Sequence, residues 1–178
     1  GWSELCARWE PLVRMLLARE SVDLVILPDG DGRCEVRSRD RGSAIVESAG
    51  GRYSYRTIDG DPLSAGLALQ NVTASDAFDA FAYGEYPDAV VQIAQIAACA
   101  RSGDIIVSAR PGWDFRERWE PIRHESTHGS LHRDHMLVPL LVSRPVRGTP
   151  RRTADVMPSA LEVMGLSPAS DLDGASFV

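Results

Sequence analysis

The order of apolar and polar positions divides the chain into helix-like and strand-like stretches. Leu5, Trp9, Leu12, Val13, Leu16 and Leu17 recur at helical spacing and predict an amphipathic helix over residues 3–19. Pro11 falls inside it and either kinks the helix or marks its true start. The next segment, "SVDLVILPDG", is an apolar run of strand length closed by a Pro-Asp-Gly turn. Its near-continuous hydrophobicity suits a strand buried on both faces, as in an α/β sheet. Then "RCEVRSR", "SAIVESA" and "RYSYRTI" each alternate and are bounded by glycine signals. They predict a β-meander over about 33–58 with one wet face, a small insertion in a larger sheet.

Residues 61–100 carry helical signals. In "DPLSAGLAL", Asp61 is placed to cap a helix with Pro62 at its first position. "TASDAFDAFAYG" opens on a Thr or Ser cap and ends at Gly84. In "YPDAVVQIAQIAACARSG", Val90, Ile93, Ala94 and Ala97 share one face, and the pattern stops at Gly103. Cys99 belongs to that run and is expected on a buried helix face, where a free cysteine acts as a small hydrophobe. "DIIVSAR" and "MLVPLLVS" predict a second and a third buried strand. Between them, over about 109–135, lies a long polar stretch rich in turn formers, a kind of connection that is usually functional or disordered, and its four histidines and two tryptophans favour functional. "TADVMPSALEVMGL" predicts a closing helix with Thr153 or Asp155 near its start and Gly165 at its end. The sum is one α/β domain, or part of one, over 1–178.

Composition narrows this only a little. Hydrophobic residues at 44% and charged residues at 25% are ordinary for a globular chain. No apolar run approaches the roughly 20 residues of a membrane span. The net charge of −6 argues against nonspecific nucleic-acid binding, which rests on neutralising phosphates. All 19 basic residues are arginine, which reflects coding bias, and the Arg144, Arg147, Arg151, Arg152 cluster reads as a solvated loop. Cys6, Cys34 and Cys99 are scattered and form no CxxC pair, so neither a disulfide framework nor a thiolate zinc site is expected. The opening residues carry no export signal, which leans toward the cytoplasm; they also lack a Met, so a natural start upstream is expected.

Candidate chemistry sits in "RHESTHGSLHRDH", which holds all four histidines: His124, His128, His132 and His135. On a helix, positions four apart would share a face and could chelate a metal. Gly129 and the Ser126-Thr127 pair argue against a continuous helix, so a loop would present only some of the four to one centre. His128 is the first metal-ligand candidate, because the Gly129 that follows lets the backbone approach a metal or phosphate closely. His124, His132 and His135 are secondary candidates: His124 and His132 as exposed loop histidines, His135 as a residue at the edge of the strand it precedes. A catalytic zinc needs about three protein ligands, so this stretch alone is incomplete. A Ser-His-Asp hydrolase is disfavoured, since no G-x-S-x-G is present and Ser126 is on no nucleophile elbow. "HESTH" fits H-E-x-x-H in its letters, which would make His124 and His128 zinc ligands and Glu125 the general base of a protease. That reading needs a helix through 122–130. A further alternative is a non-catalytic α/β module that only binds a partner.

Taken together, Thr127-His128-Gly129, Val138-Pro139-Leu140, Thr153-Ala154-Asp155 through Pro158, and Asp173-Gly174 follow one another in an order that resembles the C-terminal part of alkaline phosphatase superfamily hydrolases. The branch it is most similar to is the type I phosphodiesterase/nucleotide pyrophosphatase group, and the match covers roughly 86–178, with "SGDIIVSARPGWDF" resembling the strand before the late histidine loop. The resemblance implies an α/β/α sandwich and a two-metal site, usually zinc, acting on a small phosphoester. It implies that His128 is the late metal ligand. The family's Ser or Thr nucleophile, Asp-x3-His pair and Asp-His-Gly come earlier in its chains and have no counterpart in matching context here. The resemblance therefore implies a C-terminal segment, inactive alone, whose partner is the N-terminal half of the same domain.

Overall fold

Helical spacing followed by a continuous apolar run produces a helix laid on a strand. Helix α1 (Trp2–Leu17) passes through Pro11, and strand β1 (Val22–Gly30) follows after a short turn. The computed structural model describes residues 2–30, 32–115 and 129–178. β1 is buried on both faces because each face meets a helix. Val25 and Leu27 pack with Val13 of α1 on one side. Leu24 and Ile26 pack on the other side with Val90 and Ile93 of helix α3 (Ala89–Ala98).

The sheet has six strands, with β2 (Arg33–Ser38), β3 (Gly42–Ala49), β4 (Arg52–Gly60), β5 (Leu69–Thr73) and β6 (Ile106–Ala109) joining β1 in the order β5-β4-β3-β2-β1-β6. Every neighbouring pair is antiparallel. The fold is thus mixed α/β, as expected. The meander, however, is no insertion in a larger sheet: β2, β3 and β4 continue directly from β1 and form the body of the sheet. Hydrophobic pattern alone could not separate the two cases, because a strand covered by helices on both faces reads the same in either orientation. Register aligns Ile26, Val36 and Ala44 in one row, and Cys34, Val46 and Tyr55 in the next. These rows form the main core beneath α3 and helix α2 (Ala74–Phe81), with the Phe81 ring edge-on to Tyr55 at 5.6 Å. Burial pushes the Cys34 thiol up to about 12, so it acts as a small inert hydrophobe. At the β2–β3 turn Gly42 has φ +88, and a Cβ there would collide with the Asp59 carbonyl.

Several local expectations hold. Thr73 caps α2 through a reciprocal box with Asp76, and a turn of 3-10 helix (Thr153–Asp155) leads into helix α5 (Val156–Val163). Others need correction. The segment after Asp61 is a turn, not a helix. The Asp61 carboxylate accepts from the Gly66 N–H at 2.7 Å, the Leu63 N–H at 3.3 Å and the Tyr55 hydroxyl at 2.5 Å. A side-chain acceptor so engaged competes with helical bonding, and Ser64 and Gly66 take positive φ. The run 136–143 forms no third strand: Met136 ends the short helix α4 (Arg133–Met136), and Leu137, Val138, Leu140, Leu141 and Val142 are all exposed. Pro139 has no N–H to give to a ladder. Cys99 is exposed, because α3 ends at Ala98 and the backbone turns extended there.

The chain divides into two compact units, Gly1–Val138 and Pro139–Val178. The second is organised around Asp155. Its carboxylate accepts from the backbone N–H groups of Arg151 at 2.9 Å, Arg152 at 3.0 Å and Ala175 at 3.0 Å. The Ser159 hydroxyl donates to the Asp155 carbonyl and accepts from the Phe177 N–H, fixing the chain end on α5. Gly174 lies so close to the Ala154 carbonyl that no Cβ fits. Burial pushes the Asp155 carboxyl up, but the three backbone donors outweigh it and hold it below its ordinary value. A depressed folded value means the stabilisation is present above the unfolded value of about 3.9 and is lost as pH falls through the lower folded one. The Arg152 and Ala175 amide resonances are therefore expected to stay constant from neutral pH to about 4 and to move together below it. Asp155→Asn should abolish that acid step; an unchanged step in the variant would refute the assignment.

Candidate functional site

The described part of the histidine stretch is a tight turn, residues 129–136, pinned to the rest of its unit by backbone bonds. Gly129 enters it at φ +103, a conformation that favours glycine. The Leu131 N–H donates to the Ser108 hydroxyl at the end of β6, and the Leu131 side chain joins the main core. The Arg133 N–H donates to the Glu85 carbonyl at 2.8 Å, and its guanidinium to the Tyr83 carbonyl at 3.2 Å. The turn is thus held between β6 and the segment before α3.

Two histidines of the cluster lie in this turn. His132 is the extended cap residue of α4, and its Nδ1 accepts from the Asp134 N–H at 3.3 Å. His135 lies within α4, so it is not the strand-edge residue expected; its Nδ1 is 2.7 Å from the Ser130 hydroxyl. Ser130 is buried, and its oxygen also accepts from the His132 N–H at 3.2 Å. His132 is half-buried, against the exposed position expected, because its ring stands edge-on to Tyr86 at 5.9 Å. His124, Glu125, Ser126 and His128 lie outside the described residues, and so does most of the helix that the protease reading requires. Among the described residues, no group of three or more His, Cys, Asp or Glu side chains is placed to hold a metal ion.

Behind His132 is a buried polar network that sequence reading missed. The Tyr86 hydroxyl donates to Asp23 Oδ2 at 2.7 Å. Arg41 Nη2 lies 2.7 Å from both Asp23 Oδ1 and the Tyr86 oxygen, while Arg41 Nε donates to the Pro62 carbonyl at 3.0 Å. The guanidinium carbon is 5.3 Å from the centre of the Tyr86 ring, a cation–π distance. Burial raises the Tyr86 phenol, and the Asp23 carboxylate raises it further. Burial pulls the Arg41 guanidinium down, but Asp23 more than compensates and the group stays charged. Both Asp23 oxygens are occupied and its charge is balanced, so the network suits anchoring better than proton transfer. It ties the start of β1, the β2–β3 turn and the segment before α3 to the surface on which His132 rests. One signal could have pointed to it: Asp23 is the charged position inside the apolar run Val22–Leu27, and such a charge needs a partner.

The chain matches no family model, no curated protein and no solved structure.

Proposed function

We propose that this chain is the C-terminal segment of a metal-dependent phosphoester hydrolase of the alkaline phosphatase superfamily, similar to the type I phosphodiesterase/nucleotide pyrophosphatase group. The observation that carries the reading is the ordered series Thr127-His128-Gly129, Val138-Pro139-Leu140, Thr153-Ala154-Asp155 and Asp173-Gly174. One feature of the fold supports it. Asp155 and Gly174, members of that series far apart in sequence, meet at one point through the Ala175 N–H and the Ala154 carbonyl.

In this reading His128 gives one ligand to a pair of divalent metals, zinc before others, and the remaining ligands and the nucleophile come from the N-terminal half. Two metals a few Å apart would clamp the attacking and leaving oxygens of an in-line displacement at phosphorus. One histidine cannot hold a metal tightly, so the isolated chain is expected to be inactive. Equilibrium dialysis tests this. The isolated chain should take up no stoichiometric zinc, and the longer polypeptide about two ions per chain. If neither takes up zinc, the chain is instead a non-catalytic binding module.

A further inference from the structure

The hydrogen bonds of the histidine turn fix where its protons lie. Ser130 is 5% exposed, and its hydroxyl has two contacts among the described residues: the His132 N–H and the His135 Nδ1. The N–H can only donate, so the Ser130 oxygen accepts there. Among the described residues its own proton then has a single acceptor, His135 Nδ1 at 2.7 Å. The reverse arrangement, with Nδ1–H donating to Ser130, would strand a buried hydroxyl proton without a partner, which is costly. Neutral His135 must then carry its proton on Nε2. His132, whose ring stands against Tyr86 and whose Nδ1 meets both the Asp134 N–H at 3.3 Å and the Asp134 carboxylate at 3.4 Å, is already engaged.

We infer that His135 acts as a hydrogen-bond donor, presenting Nε2–H to an oxyanion such as a phosphoryl oxygen, with Ser130 as the residue that positions it. Ligation through Nε2 would displace that proton and turn Nδ1 into a donor toward Ser130, so the Nε2–H tautomer favours the donor role over the ligand role. His135 is partly exposed and Nε2 has no partner among the described residues, so the donor is open to a ligand. Developing negative charge on a phosphoryl group is what fixed donors of this kind stabilise. The phosphoryl identity of the ligand rests on the function proposed above; the tautomer and the donor role rest on geometry alone.

Long-range 1H–15N correlation spectra of this chain, above the imidazole titration range, read the tautomer directly. The expected result is a protonated Nε2 and an unprotonated Nδ1 at His135. Ser130→Ala should convert it to a mixture of tautomers, and Ser130→Thr, which keeps the hydroxyl, should restore the single form. A dominant Nδ1–H form in the wild type, or a single Nε2–H form in Ser130→Ala, overturns the assignment. Titration with inorganic phosphate should then shift the His135 Nε2 resonance saturably, with affinity about fivefold weaker in Ser130→Ala. Correct tautomers without a phosphate response would remove the oxyanion role and leave the zinc uptake of the longer polypeptide to decide the hydrolase reading separately. Zinc-induced loss of the His135 Nε2 proton at low metal concentration would make it a ligand and contradict the inference.

Discussion

Replacing Arg41 with alanine is expected to destabilise the fold by about 3–5 kcal/mol. Asp23 is 2% exposed on β1, and Arg41 is the cation that balances it. Among the described residues, removing the guanidinium leaves the buried carboxylate with one hydrogen bond, from Tyr86, and no countercharge. Breaking a buried pair by deleting one partner costs far more than the pair contributes, because the remaining ion stays desolvated. The alanine variant also frees the Pro62 carbonyl and uncovers the face of Tyr86. Urea unfolding followed by circular dichroism measures the effect. Adding Asp23→Asn to the Arg41→Ala background should recover part of the loss, since the second change removes the orphaned charge. A loss under about 1 kcal/mol for Arg41→Ala, in the range of a surface ion pair, would contradict the anchoring role.

The same network marks where sequence reading stops. Arg41 to Asp23, Arg41 to Tyr86 and Tyr86 to Asp23 span 18, 45 and 63 positions. No periodicity relates such residues; only the antiparallel sheet and the chain entry into α3 bring them together. The elements whose signals are local were legible. The spacing of Leu12, Val13, Leu16 and Leu17 specifies α1, the Thr73-Asp76 box starts α2, and Gly165 with φ +73 follows the end of α5. Alternation specified β2 to β4, but not that they are the sheet itself. Where a side chain competed with the backbone, as at Asp61, the helix signal misled. Where an apolar run found no partner strand, as at 137–142, hydrophobicity alone did not make a strand. At the site, the sequence singled out the histidines but not their roles. Ser130 meets Nδ1 of His135, and the Asp134 N–H and carboxylate meet Nδ1 of His132, and neither contact has a sequence signature.

His128 carries the second large effect. In the proposed two-metal centre it is a direct ligand, and even the outer partners of metal ligands cost about 10- to 100-fold when removed. His128→Ala in the longer polypeptide should therefore lower zinc-dependent phosphodiester cleavage by at least about a hundredfold. His135→Ala should lower it less and leave zinc content intact, since that imidazole donates to oxygen and holds no metal. This contrast separates a ligand from a donor seven positions away in the same stretch.

The most direct measurement is the rate of bis(4-nitrophenyl) phosphate hydrolysis by the longer polypeptide, paired with its zinc content, for the wild type and His128→Ala. The hydrolase account predicts zinc-dependent turnover in the wild type, with both turnover and bound zinc lost in the variant. Turnover and zinc content that are unchanged by His128→Ala would contradict it.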